Sequence, residues 1–166
     1  MNEKLFREAV ESDRVAIDVA RLGPDGAALS GETFEMSDLG SRFIRPKGGI
    51  RYDLEAVPMG GELLLRGSLS AVFEAECARC NRRFDLVVEV PEYAESFEIA
   101  EAEEWIDVTD SLREEILLEI PNFPVHDEDC KGLCPKCGAD LNDGPCCCPR
   151  DGGDGRWSVL DALSSK

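Results

Sequence analysis

Apolar and polar residues alternate most regularly in the middle of the chain. Over Leu63 to Glu76 the odd positions Leu65, Gly67, Leu69, Ala71 and Phe73 interleave with mostly polar neighbours, and over Phe84 to Val90 the even positions Phe84, Leu86, Val88 and Val90 do the same. A period of two is the mark of a strand with one buried face. These two runs predict a hairpin with Cys77-Ala78-Arg79-Cys80 at its tip and a bend or bulge at Gly67. Val15 to Leu22 puts Val15, Ile17 and Val19 on one face and is followed by the turn signal Gly23-Pro24-Asp25-Gly26, which predicts a strand pair with Gly31 to Glu35. Further strands are expected at Tyr93 to Ile99 and Trp105 to Val108, whereas Pro46-Lys47-Gly48-Gly49 and Pro58-Met59-Gly60-Gly61 punctuate the region between.

Helical spacing occurs in fewer places. Leu5, Phe6, Ala9 and Val10 predict a short N-terminal helix. Leu112, Ile116, Leu117 and Ile120 predict the main one, with Asp110 as its N-cap and an end before Pro121. A proline-broken linker from 122 to 129 leads into a cysteine cluster, and Asp151 to Gly155 separates that cluster from a last amphipathic piece, Trp157 to Leu163. The expected fold class is α+β: an antiparallel β-sheet with a CxxC hairpin, one main helix and a C-terminal cysteine-rich zinc module. The expected domains are a β-rich α+β unit over 1–125, a zinc-binding cluster over 126–150 and a tail with a short helix over 151–166.

Charge sharpens this outline. The 166 residues carry 18 Lys+Arg against 35 Asp+Glu, a net −17, which repels phosphate backbones and anionic membranes and argues against a general nucleic-acid coat protein. The length excludes a large multidomain enzyme. Residues 91–129 alone hold fourteen acidic residues and one basic one. That stretch is either a solvated face or a docking surface for a basic partner such as a ribosomal protein. The opening residues lack the apolar core of a signal peptide and no later run reaches the roughly 18 apolar residues of a membrane span, so a cytoplasmic location is expected.

Eight cysteines beside one histidine are the compositional anomaly. In a reducing compartment close-set cysteines read as metal ligands or redox groups. Zinc prefers thiolate and imidazole donors in a tetrahedron, and a C-x2-C turn brings two sulfurs to one ion. Cys134-Pro135-Lys136-Cys137-Gly138 has the full knuckle form, while Cys77-Ala78-Arg79-Cys80 lacks the trailing glycine. Cys130 lies four positions before Cys134, and Cys146-Cys147-Cys148 begins nine after Cys137. One partition takes Cys134, Cys137, Cys146 and Cys148 as one site and Cys77, Cys80, Cys130 and His126 as another. A second joins the two knuckles, Cys77, Cys80, Cys134 and Cys137, and spacing leaves both open. Cys147 is spare in either scheme. His126 beside Asp127 also reads as an ordinary exposed residue, and Cys77 and Cys80 as an unmetallated redox pair. Arg79, Arg82 and Arg83 form a small basic spot able to touch phosphate or simply remain solvated. No phosphate-binding loop, dinucleotide fingerprint, nucleophile elbow or HExxH-type arrangement is present, so no catalytic residue is assigned.

The apolar strand ending in ECARC, the block EEILLEIPNFPVHDEDC, the segment CKGLCPKCGADLN, the CCC run and the terminal RWSVLDAL together resemble the bacterial YceD family, the large ribosomal RNA subunit accumulation proteins, over roughly residues 45–164. The resemblance implies a cytoplasmic, non-catalytic factor needed for accumulation of large-subunit (23S) ribosomal RNA. Its partners would be a ribosomal protein or pre-ribosomal large-subunit RNA, with no membrane and no small-molecule substrate. By position, Cys77 and Cys80 match the family's CxRC, and Cys130, Cys134, Cys137, Cys146 and Cys148 match the pattern of members with a C-terminal cluster. His126 stands where many relatives have cysteine, which implies a metal role for it. The rival expectation is a thiol-based redox or metal-handling enzyme using Cys77 and Cys80.

Overall fold

The structure is a computed structural model and describes residues 14–33, 43–100 and 105–148. A four-stranded antiparallel meander dominates it. Its strands are β2 (Ala27–Thr33), β3 (Ile44–Met59), β4 (Glu62–Glu76) and β5 (Arg83–Glu98), paired in the order β2-β3-β4-β5. Two three-residue strands, β1 (Ala16–Asp18) and β6 (Trp105–Asp107), pair with each other in a separate ribbon, and one helix, α1 (Thr109–Glu119), follows. Among the described residues the coarse architecture is therefore a mostly antiparallel sheet with one α-helix.

β4 is the strand that alternation predicts. Leu63, Leu65, Leu69, Ala71, Phe73 and Ala75 are all buried, and every one is at an odd position. In β5 the buried set is Val88, Val90 and then Tyr93, so the phase changes from even to odd. The register explains why: Leu69 faces Val90 but Gly67 faces Tyr93, so β5 has one extra residue around Pro91 and Glu92. One inserted residue flips which side chains face inward. The two runs expected separately at Phe84 to Val90 and Tyr93 to Ile99 are thus one strand broken in phase. Gly67 sits opposite this bulge at φ 154°, and a Cβ there would strike the carbonyl of Asp53 on β3. Glycine lets β3 and β4 approach where any side chain would separate them.

β3 has no counterpart among the sequence expectations. Its register with β4 jumps between Pro46 and Ile50, where two extra residues bulge out. An even insertion preserves side-chain phase, so Ile44, Ile50, Leu54 and Ala56 remain on the buried face. The predicted pairing of Val15–Leu22 with Gly31–Glu35 is not observed. After Asp18 the chain enters a 3-10 turn, Val19–Arg21, and β1 pairs with β6 while β2 pairs with β3. The Gly23–Gly26 turn changes ribbon rather than closing a hairpin.

α1 covers the buried face of the sheet. Leu112 and Ile116 join Val15, Ile17, Ile106, Val108 and the inward residues of β3, β4 and β5 in one core. Leu117 and Ile120 are half-buried, in keeping with the predicted apolar stripe, but Leu118 is 79% exposed. Asp110 is not the cap: the helix begins one residue earlier, and Asp107 Oδ1 accepts the Thr109 N–H at 3.0 Å. Thr109 Oγ1 accepts the Val15 N–H at 2.7 Å, tying the ribbon to the helix start. The expected helices at the two termini lie outside the described residues.

Candidate metal centre

Six residues, 77 to 82, connect β4 to β5, whose last pair is Glu76 with Arg83. The Cys77 N–H donates to the Arg82 carbonyl at 2.9 Å and the Asn81 N–H to the Cys77 carbonyl at 2.8 Å. The second C-x2-C segment repeats both bonds at the same offsets: the Cys134 N–H donates to the Ala139 carbonyl and the Gly138 N–H to the Cys134 carbonyl, each at 2.8 Å. The residue after the second cysteine is left-handed in each, Asn81 at φ 60° and Gly138 at φ 73°. Asparagine is among the few side-chain-bearing residues that adopt this conformation readily. The missing glycine after Cys80 therefore does not weaken that turn.

The first turn faces the linker that follows α1. Cys77, Cys80, His126 and Cys130 converge, with all four ligand atoms within 4.8 Å of one another. Cys77 Sγ is 3.8 Å from Cys130 Sγ, and Cys80 Sγ is 3.6 Å from His126 Nδ1. A tetrahedral zinc at about 2.3 Å from sulfur and about 2.0 Å from nitrogen spaces two sulfurs about 3.8 Å apart and a sulfur and a nitrogen about 3.5 Å apart. Both observed edges fit that polyhedron. The three cysteines are buried and half-buried Phe84, Val125 and Leu133 pack around them. The Phe84 ring meets His126 edge-on at 6.4 Å.

Arginines fix this arrangement from behind. Arg79 Nη1 donates to the carbonyls of Glu128 at 2.8 Å and Cys130 at 3.0 Å, and the Ala78 N–H donates to the Pro124 carbonyl at 2.8 Å. Arg82 Nη2 pairs with Asp140 and Asp143, each at 3.0 Å, and Arg83 with Glu74 and Glu76. The basic spot expected near the turn is thus engaged within the molecule.

Cys134, Cys137, Cys146 and Cys148 form the second group, again with all ligand atoms within 4.8 Å. Cys146 Sγ and Cys134 Sγ are 3.4 Å apart. Cys134 is buried, Cys146 and Cys148 are half-buried and Cys137 is exposed, so this group lies nearer solvent than the first. Cys147 is exposed and belongs to neither group. All eight residues fall into the first of the two partitions, Cys77, Cys80, His126 and Cys130 in one group and Cys134, Cys137, Cys146 and Cys148 in the other. The two knuckles do not share a group.

Each group contains one thiol disposed to ionise and one held protonated. Burial pushes Cys77 up, but the His126 side chain and the N–H groups of His126, Arg79 and Cys80 outweigh it and bring the thiol down to about 5. Burial raises Cys80 to about 11, with the neighbouring Cys130 and Cys77 adding to the rise. In the second group the N–H groups of Cys137 and Lys136 draw Cys134 down to about 6, and Cys148, hydrogen-bonded to Cys137 and desolvated, rises to about 12. Several thiols this close cannot all carry charge unless a cation sits among them. A bound divalent ion supplies that charge and deprotonates coordinating thiols outright. Four protein donors close a tetrahedral shell, and catalytic zinc instead keeps a position open.

Three supporting residues escape any reading of spacing. Asn81 shapes the first turn, Arg79 holds the Cys130 segment, and Asn142 donates to Cys130 Sγ at 3.4 Å. The run Asp140-Leu141-Asn142-Asp143 carries the side-chain-to-backbone turn signal that flags such a loop.

A family model described as the large ribosomal RNA subunit accumulation protein YceD matches residues 65–164. Uncharacterized proteins of Mycobacterium bovis and Mycobacterium tuberculosis are each 31% identical over 156 residues, covering 79% of this chain and 72% of theirs. A chloroplastic protein of Arabidopsis thaliana named large ribosomal RNA subunit accumulation protein YCED homolog 1 is 40% identical over 58 residues, 35% of this chain and 18% of its own. No solved structure gives a significant match.

Proposed function

From the premise that this chain belongs to the YceD family of large ribosomal RNA subunit accumulation proteins, we propose that it is a non-catalytic zinc-binding factor supporting accumulation of large-subunit (23S) ribosomal RNA. Membership itself points to a role in that accumulation. Zinc would be held by Cys77, Cys80, His126 and Cys130 in one site and by Cys134, Cys137, Cys146 and Cys148 in the other. The observation that carries the reading is that all eight donors lie inside the matched stretch and converge into two four-donor sets, the first with two edges of tetrahedral length. Thiolate-rich, tetrahedral donors favour zinc over hard cations. The lobe from 126 to 148 has little apolar core of its own, and zinc would supply the folding energy that a lobe so small lacks.

Glu92, Glu98, Asp110, Glu114, Glu119, Asp127, Glu128 and Asp129 are exposed, which gives the molecule a negative working surface. Such a surface suits a basic ribosomal protein on the assembling large subunit better than bare RNA. Among the described residues no helix is long and apolar enough to cross a membrane, and action in the cytoplasm fits this assignment. The redox alternative draws on the split between Cys77 and Cys80, but Cys77 is only 1% exposed and its sulfur faces Cys130, which leaves a dithiol substrate no approach.

Elemental analysis of gently purified protein should give two zinc per chain. Deletion of the gene should deplete 23S relative to 16S RNA. Tagged protein should retain a ribosomal protein after nuclease treatment, with capture weakening as salt rises. Normal 23S levels in the deletion strain would refute the biological half. Metal-free folded protein would refute the chemical half.

A further inference from the structure

Cys130 belongs to the first group, yet the side chain that donates to its sulfur comes from inside the second. Asn142 lies in the loop from 138 to 145, whose two ends are the ligands Cys137 and Cys146. Its Nδ2 reaches Cys130 Sγ at 3.4 Å and Asp140 Oδ1 at 2.6 Å, and its Oδ1 accepts the Lys131 N–H at 2.8 Å. Both amide hydrogens and the carbonyl oxygen are therefore committed. Asp140 Oδ1 also accepts the Asn142 N–H at 2.9 Å, while its other oxygen takes Arg82 Nη2 at 3.0 Å from the hairpin that carries Cys77 and Cys80. The Leu141 N–H donates to the Gly132 carbonyl at 2.9 Å, and the Leu133 N–H donates to the Arg79 carbonyl at 3.1 Å. One continuous polar chain, Arg82–Asp140–Asn142–Cys130, thus runs from the hairpin of the first set through the loop of the second and back to a ligand of the first.

We propose that the two metal sites load cooperatively through Asn142, the outer Cys134/Cys137/Cys146/Cys148 site ordering the loop that completes the surroundings of the inner site. The inference rests on the zinc reading given above. An ion that ties Cys137 to Cys146 closes an eight-residue loop and removes its conformational freedom before Asn142 must be held in place. The N–H···S bond then withdraws charge from the Cys130 thiolate and fixes its rotamer. Outer partners of this kind change metal affinity by about 10- to 100-fold when removed. Because coupling is reciprocal, filling the inner site tightens the outer one by the same factor. Asn142 and Arg82 are accordingly positioning residues that touch no metal.

Cobalt(II) titration of the full-length apo chain is the test, since three-sulfur-one-nitrogen and four-sulfur cobalt absorb differently. The measured quantities are the inner-site affinity and the energy of its sulfur-to-cobalt band. Removing the outer site (Cys137→Ser with Cys148→Ser) should weaken the inner site about 10-fold, as should Asn142→Ala alone. Combining them should cost little more than either, because both act through one contact. Asn142→Ala should also shift the inner-site band to lower energy, a signature that general loosening of the loop does not produce. Arg82→Gln, which leaves Asn142 intact, provides a milder second variant and should weaken inner-site binding in the same direction. Inner-site affinity and spectrum unmoved by all of these, with the wild type binding cobalt at both sites, would overturn the coupling alone. Wild-type protein that takes up no cobalt would overturn the zinc reading beneath it.

Discussion

Asn81 and Asp107 are two single residues on which local geometry turns. Asn81 holds φ at 60° so that its N–H can close the Cys77 turn. Asn81→Gly should leave stability within a few tenths of a kcal/mol, whereas Asn81→Val, β-branched in a left-handed well, should cost about 1–2 kcal/mol. Urea unfolding of both variants decides this, and equal stability of the two would refute the strain argument. Asp107 is drawn upward by burial, but the Thr109 hydroxyl and N–H, with Arg14 at 2.9 Å, outweigh this and hold its carboxyl below the usual range. A depressed folded value means that its contribution is present above the ordinary carboxylate pKa and fades as pH falls through the folded one. Asp107→Ala should therefore destabilise by about 1 kcal/mol at pH 7 and by progressively less as pH falls below the ordinary carboxylate range. A pH-independent difference would assign the loss to something other than the carboxylate. The candidate donor residues were legible because C-x2-C spacing is local chemistry. Their partition was not, because only the hairpin's place against the 126–130 segment chooses between the groupings. Asn142 was hidden for the same reason: its partner's sulfur is twelve residues away, and nothing in local pattern joins them.

At the level of elements, β4, the two halves of β5 and α1 announce themselves because each has one wet face and one dry face, so periodicity survives in the sequence. β3 does not, because Pro46, Gly48, Gly49 and Pro58 read as breakers. The fold accommodates them physically. The Pro46–Ile50 bulge absorbs the first three, and Pro58 lies beyond Ala56, where the pairing with β2 ends and a missing N–H costs little. The extra residue in β5 masks a continuous strand as two, and the opposite residue is Gly67. Gly67→Ala should force β3 and β4 apart against the Asp53 carbonyl and lower stability by about 2 kcal/mol or more, read from the denaturation midpoint. An unchanged midpoint would show that the sheet yields there freely.

Over the whole molecule, stability comes from two unlike sources. The sheet, the ribbon and α1 share one apolar core, whereas the 126–148 lobe has its cysteines, a few half-buried apolar residues and the arginine clasps. Chelation should consequently deprotect the amides of 126–148 in hydrogen exchange while β3, β4 and the buried side of α1 stay slow. Simultaneous loss of protection everywhere would mean that the cysteine-rich lobe and the core unfold as one unit. A last consequence follows from β5 being the outer strand of the meander. Sixteen residues of sheet border ordinarily invite a stray strand to zip on and seed fibrils. Here the border is bent at Pro91 and studded with Asp85, Glu89, Glu92, Glu95 and Glu98, so a second copy arriving edge to edge would meet its own repulsion. Chains whose cysteine sets are empty should on that account remain dispersed at neutral pH and begin to clump once acid neutralises this fringe.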